Sequence, residues 1–214
     1  MQPMVLASNR WSHGRELVEP LVEDTQVVVQ EEQLGTAHAV KTAREVLAQM
    51  PGPLVVLTGD SPLIRPETIT ALVEAQQASQ AAVVVLSMEM EDPSGYGRIV
   101  RDAQGGVCAI VEHKDCTPEQ VTIGECNSGF YCFDKEFLLT ALDEVSTQNV
   151  QGEYYLTDVL ELAFALKIRS SAWASIRARS LPRRVLVCRR ASTLLTWKTG
   201  SRSSILLPPG SAPM

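Results

Sequence analysis

The sequence predicts an α/β domain built on a largely parallel sheet. Short β-branched, apolar runs alternate with stretches of helical periodicity from Val5 to Met88, the pattern of βαβ units. Leu54-Val-Val-Leu-Thr58 stops abruptly at Gly59-Asp60, with Pro62 just beyond; such a run suits a strand buried on both faces. The chain of 214 residues is 45% hydrophobic and 21% charged, ordinary for a soluble protein with a real core.

Val5-Leu6-Ala7 is the first strand candidate, and Leu17, Val18 and Leu21 place a helix over 14–21. Gln26-Val-Val-Val-Gln30 is strand-like. Ala39, Val40, Ala43, Val46 and Leu47 share one stripe of a helix over 36–50. After the Leu54–Thr58 strand, Pro66-Glu67 opens a helix in the manner of a good first turn. Ala81–Met88 is another apolar strand. Near Gly97 the rhythm changes. Residues 98–101, 106–112 and 126–133 read as strands, with Asp102-Ala-Gln-Gly-Gly106 as a hairpin connection. Helical periodicity returns over 137–142 and 156–166. No internal repeat of solenoid type is present.

Charge divides the chain. Residues 1–166 hold 9 Lys+Arg against 25 Asp+Glu, whereas residues 167–214 hold 10 Lys+Arg and no acid. Two units are therefore expected: a body over 1–166 and a compositionally foreign tail over 167–214. The tail's Arg-Arg pairs lack interleaved aromatics or a recognisable module. A partly disordered extension is expected, not a nucleic-acid-binding arm. Cys108, Cys116, Cys126, Cys132 and Cys188 form no CxxC pair, which favours reduced thiols in a cytoplasmic protein. No basic n-region with an apolar h-region opens the chain, and no apolar run suits a bilayer.

Several short motifs could carry chemistry. Asp60 follows a strand's carboxyl end, where ligands bind in open α/β sheets; a carboxylate there can hold a hard cation against phosphates. Gln30-Glu-Glu-Gln33-Leu-Gly35-Thr36 joins a strand end to a helix start. It is either a plain helix cap through Thr36 or a loop offering backbone amides and a glutamine amide to a base edge. Gly95-Tyr-Gly97 is a tight turn or a ligand-touching loop. Glu112-His113-Lys114 ends a strand with groups able to grip sugar hydroxyls and phosphate. Asn127-Ser-Gly129 is turn chemistry or an amide facing an acetamido group. Thr157 and Asp158 can cap the last helix, or Thr157 can offer its hydroxyl to a phosphate.

Taken in order, Gln30-x-x-Gln33-Leu-Gly35-Thr36, Gly59-Asp60-x-Pro62-Leu63, Gly95-Tyr-Gly97-Arg98-Ile99, Val111-Glu-His-Lys-Asp115, Asn127-Ser-Gly129 and Gln151-Gly-Glu-Tyr-Tyr155-Leu-Thr157-Asp158 closely resemble a known domain. It is the uridyltransferase domain of the bacterial bifunctional N-acetylglucosamine-1-phosphate uridyltransferases (GlmU-type), and the likeness runs from about Val5 to Leu166. The resemblance implies a Rossmann-like sugar nucleotidyltransferase fold. It implies that UTP and N-acetylglucosamine 1-phosphate give UDP-N-acetylglucosamine and pyrophosphate, with magnesium, for peptidoglycan and lipopolysaccharide synthesis. It assigns Gln30, Gly35 and Thr36 to uracil, Gly59 to the ribose side and Asp60 to magnesium. Gly97, Glu112 and Asn127 fall to the N-acetylglucosamine part, Tyr155 and Thr157 to sugar and phosphate. The implied reaction is in-line attack of the sugar phosphate on the α-phosphorus of UTP, with no side-chain nucleophile and hence no assigned catalytic residue.

The resemblance departs from the family at both ends. The family's Leu-x-x-Gly-x-Gly-Thr-Arg-Met phosphate loop, with its first strand, has no counterpart before Val5. Beyond Leu166 the basic tail replaces the segment that supplies a second magnesium ligand and leads into a β-helix domain. A truncated domain with impaired turnover is therefore expected, with a tail that could be read out of frame. No trimer is implied without the β-helix domain. A non-catalytic nucleotide-sugar-binding remnant, or a nucleotidyltransferase for another sugar phosphate, are the alternatives.

Overall fold

The computed structural model describes residues 4–8, 26–58, 64–165, 173–178 and 194–197. The helix expected over 14–21, together with Gly59, Asp60 and Cys188, lies outside the described residues. Strands β1 (Met4–Ser8) and β2 (Gln26–Gln30) precede helices α1 (Thr36–Thr42) and α2 (Arg44–Gln49). Strand β3 (Leu54–Thr58), helix α3 (Pro66–Ser79) and strand β4 (Val83–Glu89) follow. Next come β5 (Arg98–Arg101), β6 (Val107–Val111), the short helix α4 (Pro118–Val121) and the long strand β7 (Glu125–Phe133). A 3-10 turn spans His113–Asp115, and helices α5 (Lys135–Ala141) and α6 (Asp158–Ala165) and strands β8 (Trp173–Ala178) and β9 (Leu194–Trp197) complete the described elements.

The sheet runs β2-β1-β9-β3-β7-β4-β8, with the β5–β6 hairpin attached to β7 through Arg98 opposite Cys126. β1 and β2 pair in parallel, as do β4 and β8. β7 runs against both β3 and β4, and β9 runs against both β1 and β3. Strands β2, β1, β3, β4 and β8 therefore share one direction. The parallel character expected from the βαβ rhythm resides in that shared direction, while β7 and β9 are interleaved against it.

Side chains of the central strands alternate between two cores, as the pleat requires. Leu54, Val56, Val83, Val85, Tyr131 and Phe133 face one cluster, which α1, α2, α5 and α6 cover. Val55, Leu57, Val84, Leu86, Phe130 and Cys132 face the other, where Ile69, Leu72 and Val73 of α3 pack. Leu54 to Leu57 are all buried, so the strand covered on both faces is as the apolar run foretold.

Two elements differ from expectation. The helix expected over 36–50 divides at Ala43 (φ −90, ψ 3), where the amide of Ala43 bonds the carbonyl of Val40 at 3.1 Å. The tightened turn keeps Ala43 and Leu47 on the buried face, so the stripe survives a break in its ladder. Part of the tail also enters the sheet: β8 lies beside β4, and β9 fills the space between β1 and β3. Trp173, Ile176, Thr196 and Trp197 give these segments strand propensity, and open ladder edges accept any chain able to pair. Composition alone hid this. The four described cysteines are unpaired, and no helix among the described residues is long and apolar enough to cross a membrane.

Candidate functional site

Four consecutive residues, Tyr154–Thr157, tie the first motif to the later ones. Gly35 holds the start of α1 at φ +113, in the left-handed region that favours glycine. A Cβ there would sit 2.4 Å from the carbonyl oxygen of Tyr154 and 2.7 Å from its nitrogen. The close approach lets the amide of Tyr154 donate to the carbonyl of Leu34 at 2.8 Å, and the amide of Ala37 to the carbonyl of Tyr154 at 2.9 Å. Thr36 does not cap its helix. Its hydroxyl accepts from the amide of Leu156 at 2.9 Å, leaving its own proton to give.

Gln30 ends β2 and is buried. Its amide nitrogen donates to the carbonyl of Gly35 at 3.2 Å and meets Nδ1 of His38 at 2.9 Å. The glutamine side chain thus braces the glycine turn, whatever else it touches.

The same four residues continue into the second half. The hydroxyl of Thr157 donates to Oε1 of Glu112 at 3.4 Å, which ties the start of α6 to the carboxylate beyond β6. Around Gly97 three groups converge. A Cβ placed there would lie 3.2 Å from Cγ2 of Ile110, 3.4 Å from Oε1 of Glu112 and 3.5 Å from Cβ of Asn127. The amide of Asn127 donates to the carbonyl of Gly97 at 2.8 Å, which fixes that distance. Burial pushes the carboxyl of Glu112 above its usual range; the Thr157 hydrogen bond pulls it down and Asp115 raises it again. A poorly hydrated carboxylate with one weak donor is a ready acceptor for ligand hydroxyls.

A cavity of about 440 Å³ adjoins this centre, with Glu112, Asp115, Tyr155, Thr157, Asp158 and Glu161 on its wall. It meets the Gly97 centre at Glu112; Gly97 and Asn127 do not line it. The hydroxyl of Tyr155 accepts from Nε2 of Gln151 at 2.5 Å, and Gln151 in turn accepts from Lys114 at 2.7 Å. Burial raises the carboxyl of Asp158 to about 6, with Glu161, Glu112 and Asp115 adding to the shift. His113 is occupied differently from a ligand-gripping residue: its Nδ1 lies 3.2 Å from Nη2 of the buried Arg98. That guanidinium also donates to the carbonyls of Tyr96 and Val121.

The structure thus joins Gln30, Gly35 and Thr36 to Tyr154 and Leu156, whose chain neighbour Thr157 bonds Glu112 beside Gly97 and Asn127. Gly59 and Asp60, the latter the expected metal ligand, lie outside the described residues. Among the described residues no group of three or more His, Cys, Asp or Glu could hold a metal ion. Sequence reasoning missed three participants. Tyr154 and Leu156 act through main-chain atoms, which no side-chain motif announces. Tyr131 accepts from Nδ2 of Asn127 at 2.6 Å; its place four residues along the same strand was the available signal.

The nucleotidyl transferase family model matches residues 7–176. The chain is 49% identical over 152 residues to the bifunctional protein GlmU of Clostridium novyi (strain NT), covering 70% of this chain and 33% of that protein. It is 48% identical over 151 residues to the bifunctional protein GlmU of Bacillus licheniformis, again 70% of this chain and 33% of that one. The chain spans about a third of the length of these curated relatives. A crystal structure of UDP-glucose pyrophosphorylase complexed with UDP-glucose superposes with a TM-score of 0.53 at 19% identity, covering 74% of this chain and 61% of that one; the likeness is one of fold. With the family model spanning most of its length, this chain belongs to the nucleotidyl transferase family.

Proposed function

We propose that this chain carries the uridyltransferase site that forms UDP-N-acetylglucosamine and pyrophosphate from UTP and N-acetylglucosamine 1-phosphate. The observation that carries the reading is the convergence of Gly97, Glu112 and Asn127 on one small space, linked through Tyr154–Thr157 to the Gly35–Thr36 turn. One half suits a planar base, because backbone groups and the Thr36 hydroxyl border a glycine. The other suits an acetamido sugar: a carboxylate accepts from hydroxyls, and an amide both donates and accepts. The relatives named bifunctional protein GlmU support the same assignment.

In this reading Glu112 and Asn127 orient the sugar, and Thr157 steadies the carboxylate that does so. Gln30 holds the turn against which uracil would lie. Positioning of this kind turns two bound reactants into neighbours, which is much of what a phosphoryl-transfer site needs from its protein. Magnesium enters through Asp60 by family resemblance; when bound it would offset phosphate charge. A cytoplasmic setting accords with these soluble substrates.

Pyrophosphate release from UTP tests the proposal directly. The purified chain is supplied with magnesium and either N-acetylglucosamine 1-phosphate or glucose 1-phosphate. Release with the acetamido sugar in clear excess over glucose supports it. Equal use of both sugars, or preference for glucose, overturns the sugar assignment. Binding of UDP-N-acetylglucosamine without turnover replaces the enzyme by a nucleotide-sugar-binding module.

A further inference from the structure

Asn127 is held more firmly than its exposure requires. Gly129 sits at φ +80, and the β4–β7 ladder shifts register between Val85 and Ser87. This local bulge shortens β7 between residues 127 and 131. The Asn127 side chain therefore reaches both the amide of Gly129, which donates to Oδ1 at 3.0 Å, and the hydroxyl of Tyr131, which accepts from Nδ2 at 2.6 Å. A backbone amide can only donate, so Oδ1 must face Gly129 and Nδ2 must face Tyr131. A flipped amide would set Nδ2 against the Gly129 N–H and lose that bond, so the Gly129 amide fixes the orientation and the Tyr131 hydroxyl, bonded to Nδ2, holds it in place. One Nδ2 proton and one Oδ1 lone pair remain for a ligand.

Tyr131 is a core residue whose hydroxyl also reaches Asn127. It is 4% exposed, and its ring packs on Phe133 at a centroid distance of 5.5 Å. Burial above all, with the charge of Glu112 second, keeps its hydroxyl neutral well beyond working pH.

We propose that Tyr131 is a positioning residue that locks the Asn127 amide, and so sets the preference for an acetamido over a hydroxyl substituent on the bound sugar. The ligand part of this inference rests on the proposed function. The lock itself rests only on the two hydrogen bonds.

Tyr131→Phe removes the hydroxyl and keeps the ring, so the chain should fold, and two readouts follow. By NMR, with the Asn127 side-chain amide assigned through its loss in Asn127→Asp, proton exchange of that amide should quicken about 10-fold or more in Tyr131→Phe, in line with one hydrogen bond lost. By calorimetry, affinity for UDP-N-acetylglucosamine should fall about 10-fold while affinity for UDP-glucose is unchanged. Unchanged amide exchange overturns the lock. Equal losses for the two nucleotide sugars overturn selectivity and leave Tyr131 as structural support alone. If the unmodified chain binds neither nucleotide sugar, the functional reading fails and the assigned ligand with it, while amide exchange still decides whether Tyr131 holds Asn127.

Discussion

The two halves of the site are built from different materials. Around Gly35 the contacts are mostly main chain: the Tyr154 amide and carbonyl pair with Leu34 and Ala37, and a single glycine permits the approach. Around Gly97 the contacts are mostly side chain: Ile110, Glu112 and Asn127 border the space a Cβ would fill, with Thr157 bonded to Glu112 and Tyr131 to Asn127. A main-chain site is rigid and tied to folding. A side-chain site can be edited one group at a time. Substitutions in the first half should therefore cost stability first, with any loss of recognition following from it, whereas substitutions in the second should cost recognition at little cost in stability.

Gly35→Ala should have the largest effect. Both the positive φ and the 2.4 Å approach to the Tyr154 carbonyl oppose a Cβ. We expect a loss of about 3 kcal/mol or more, read as a lower denaturant midpoint at an unchanged slope. A near-normal midpoint would break the claim that this half is fixed by backbone.

Thr36→Val strips the hydroxyl that accepts from Leu156 while keeping the shape. Leu156 is buried, so its amide would be orphaned at a cost of about 1–3 kcal/mol. Because Tyr154–Thr157 serves both halves, ligand affinity should fall together with stability. A stability loss with unchanged affinity would show the halves to be independent.

Gly97→Ala is the converse case. Its neighbours must give by only a few tenths of an ångström, and φ is not in the left-handed region. Melting temperature should shift by no more than about 2 °C. Affinity for a nucleotide sugar should nonetheless fall about 10-fold, because the new methyl group occupies the space between Glu112 and Asn127.

The smallest effect concerns pH. In the folded chain Asp158 has its carboxyl raised from 3.8 to about 6, chiefly by burial. Between those values the folded state binds more protons than the unfolded one, so this group's contribution is full at low pH and is lost as pH rises through about 6. Glu112 and Glu161, also raised, act in the same direction. Asp158→Asn should flatten the thermal profile across this window and raise the melting temperature above it by roughly 1–3 °C. An identical slope in the variant would remove Asp158 as a cause.

Much of this contrast was legible in the residues. The strands at 26–30, 54–58 and 98–101 coincide with their apolar runs, because a period of two and β-branched residues leave few other solutions. Thr117 and Gln120 form a capping box ahead of α4, a signal present in the sequence but hidden by the short helix it starts. What stayed hidden depends on long-range main-chain contact. Gly35 is spaced by Tyr154, more than a hundred positions away, and no local pattern names such a partner. Gln30 was legible as an amide at a strand end; its bond to Gly35 required the fold. The tail strands were obscured because composition averages over the short segments that pair.

On the proposed function, the Gly97 half recognises a sugar through side chains while binding at the Gly35 half does not depend on that sugar. Calorimetric titration of Glu112→Ala with UDP and with UDP-N-acetylglucosamine tests it most directly. The unmodified chain should bind the nucleotide sugar more tightly than UDP, and the variant should bind both with the affinity the unmodified chain has for UDP. A variant that retains the full advantage of the sugar, or loses UDP affinity in equal measure, would contradict it.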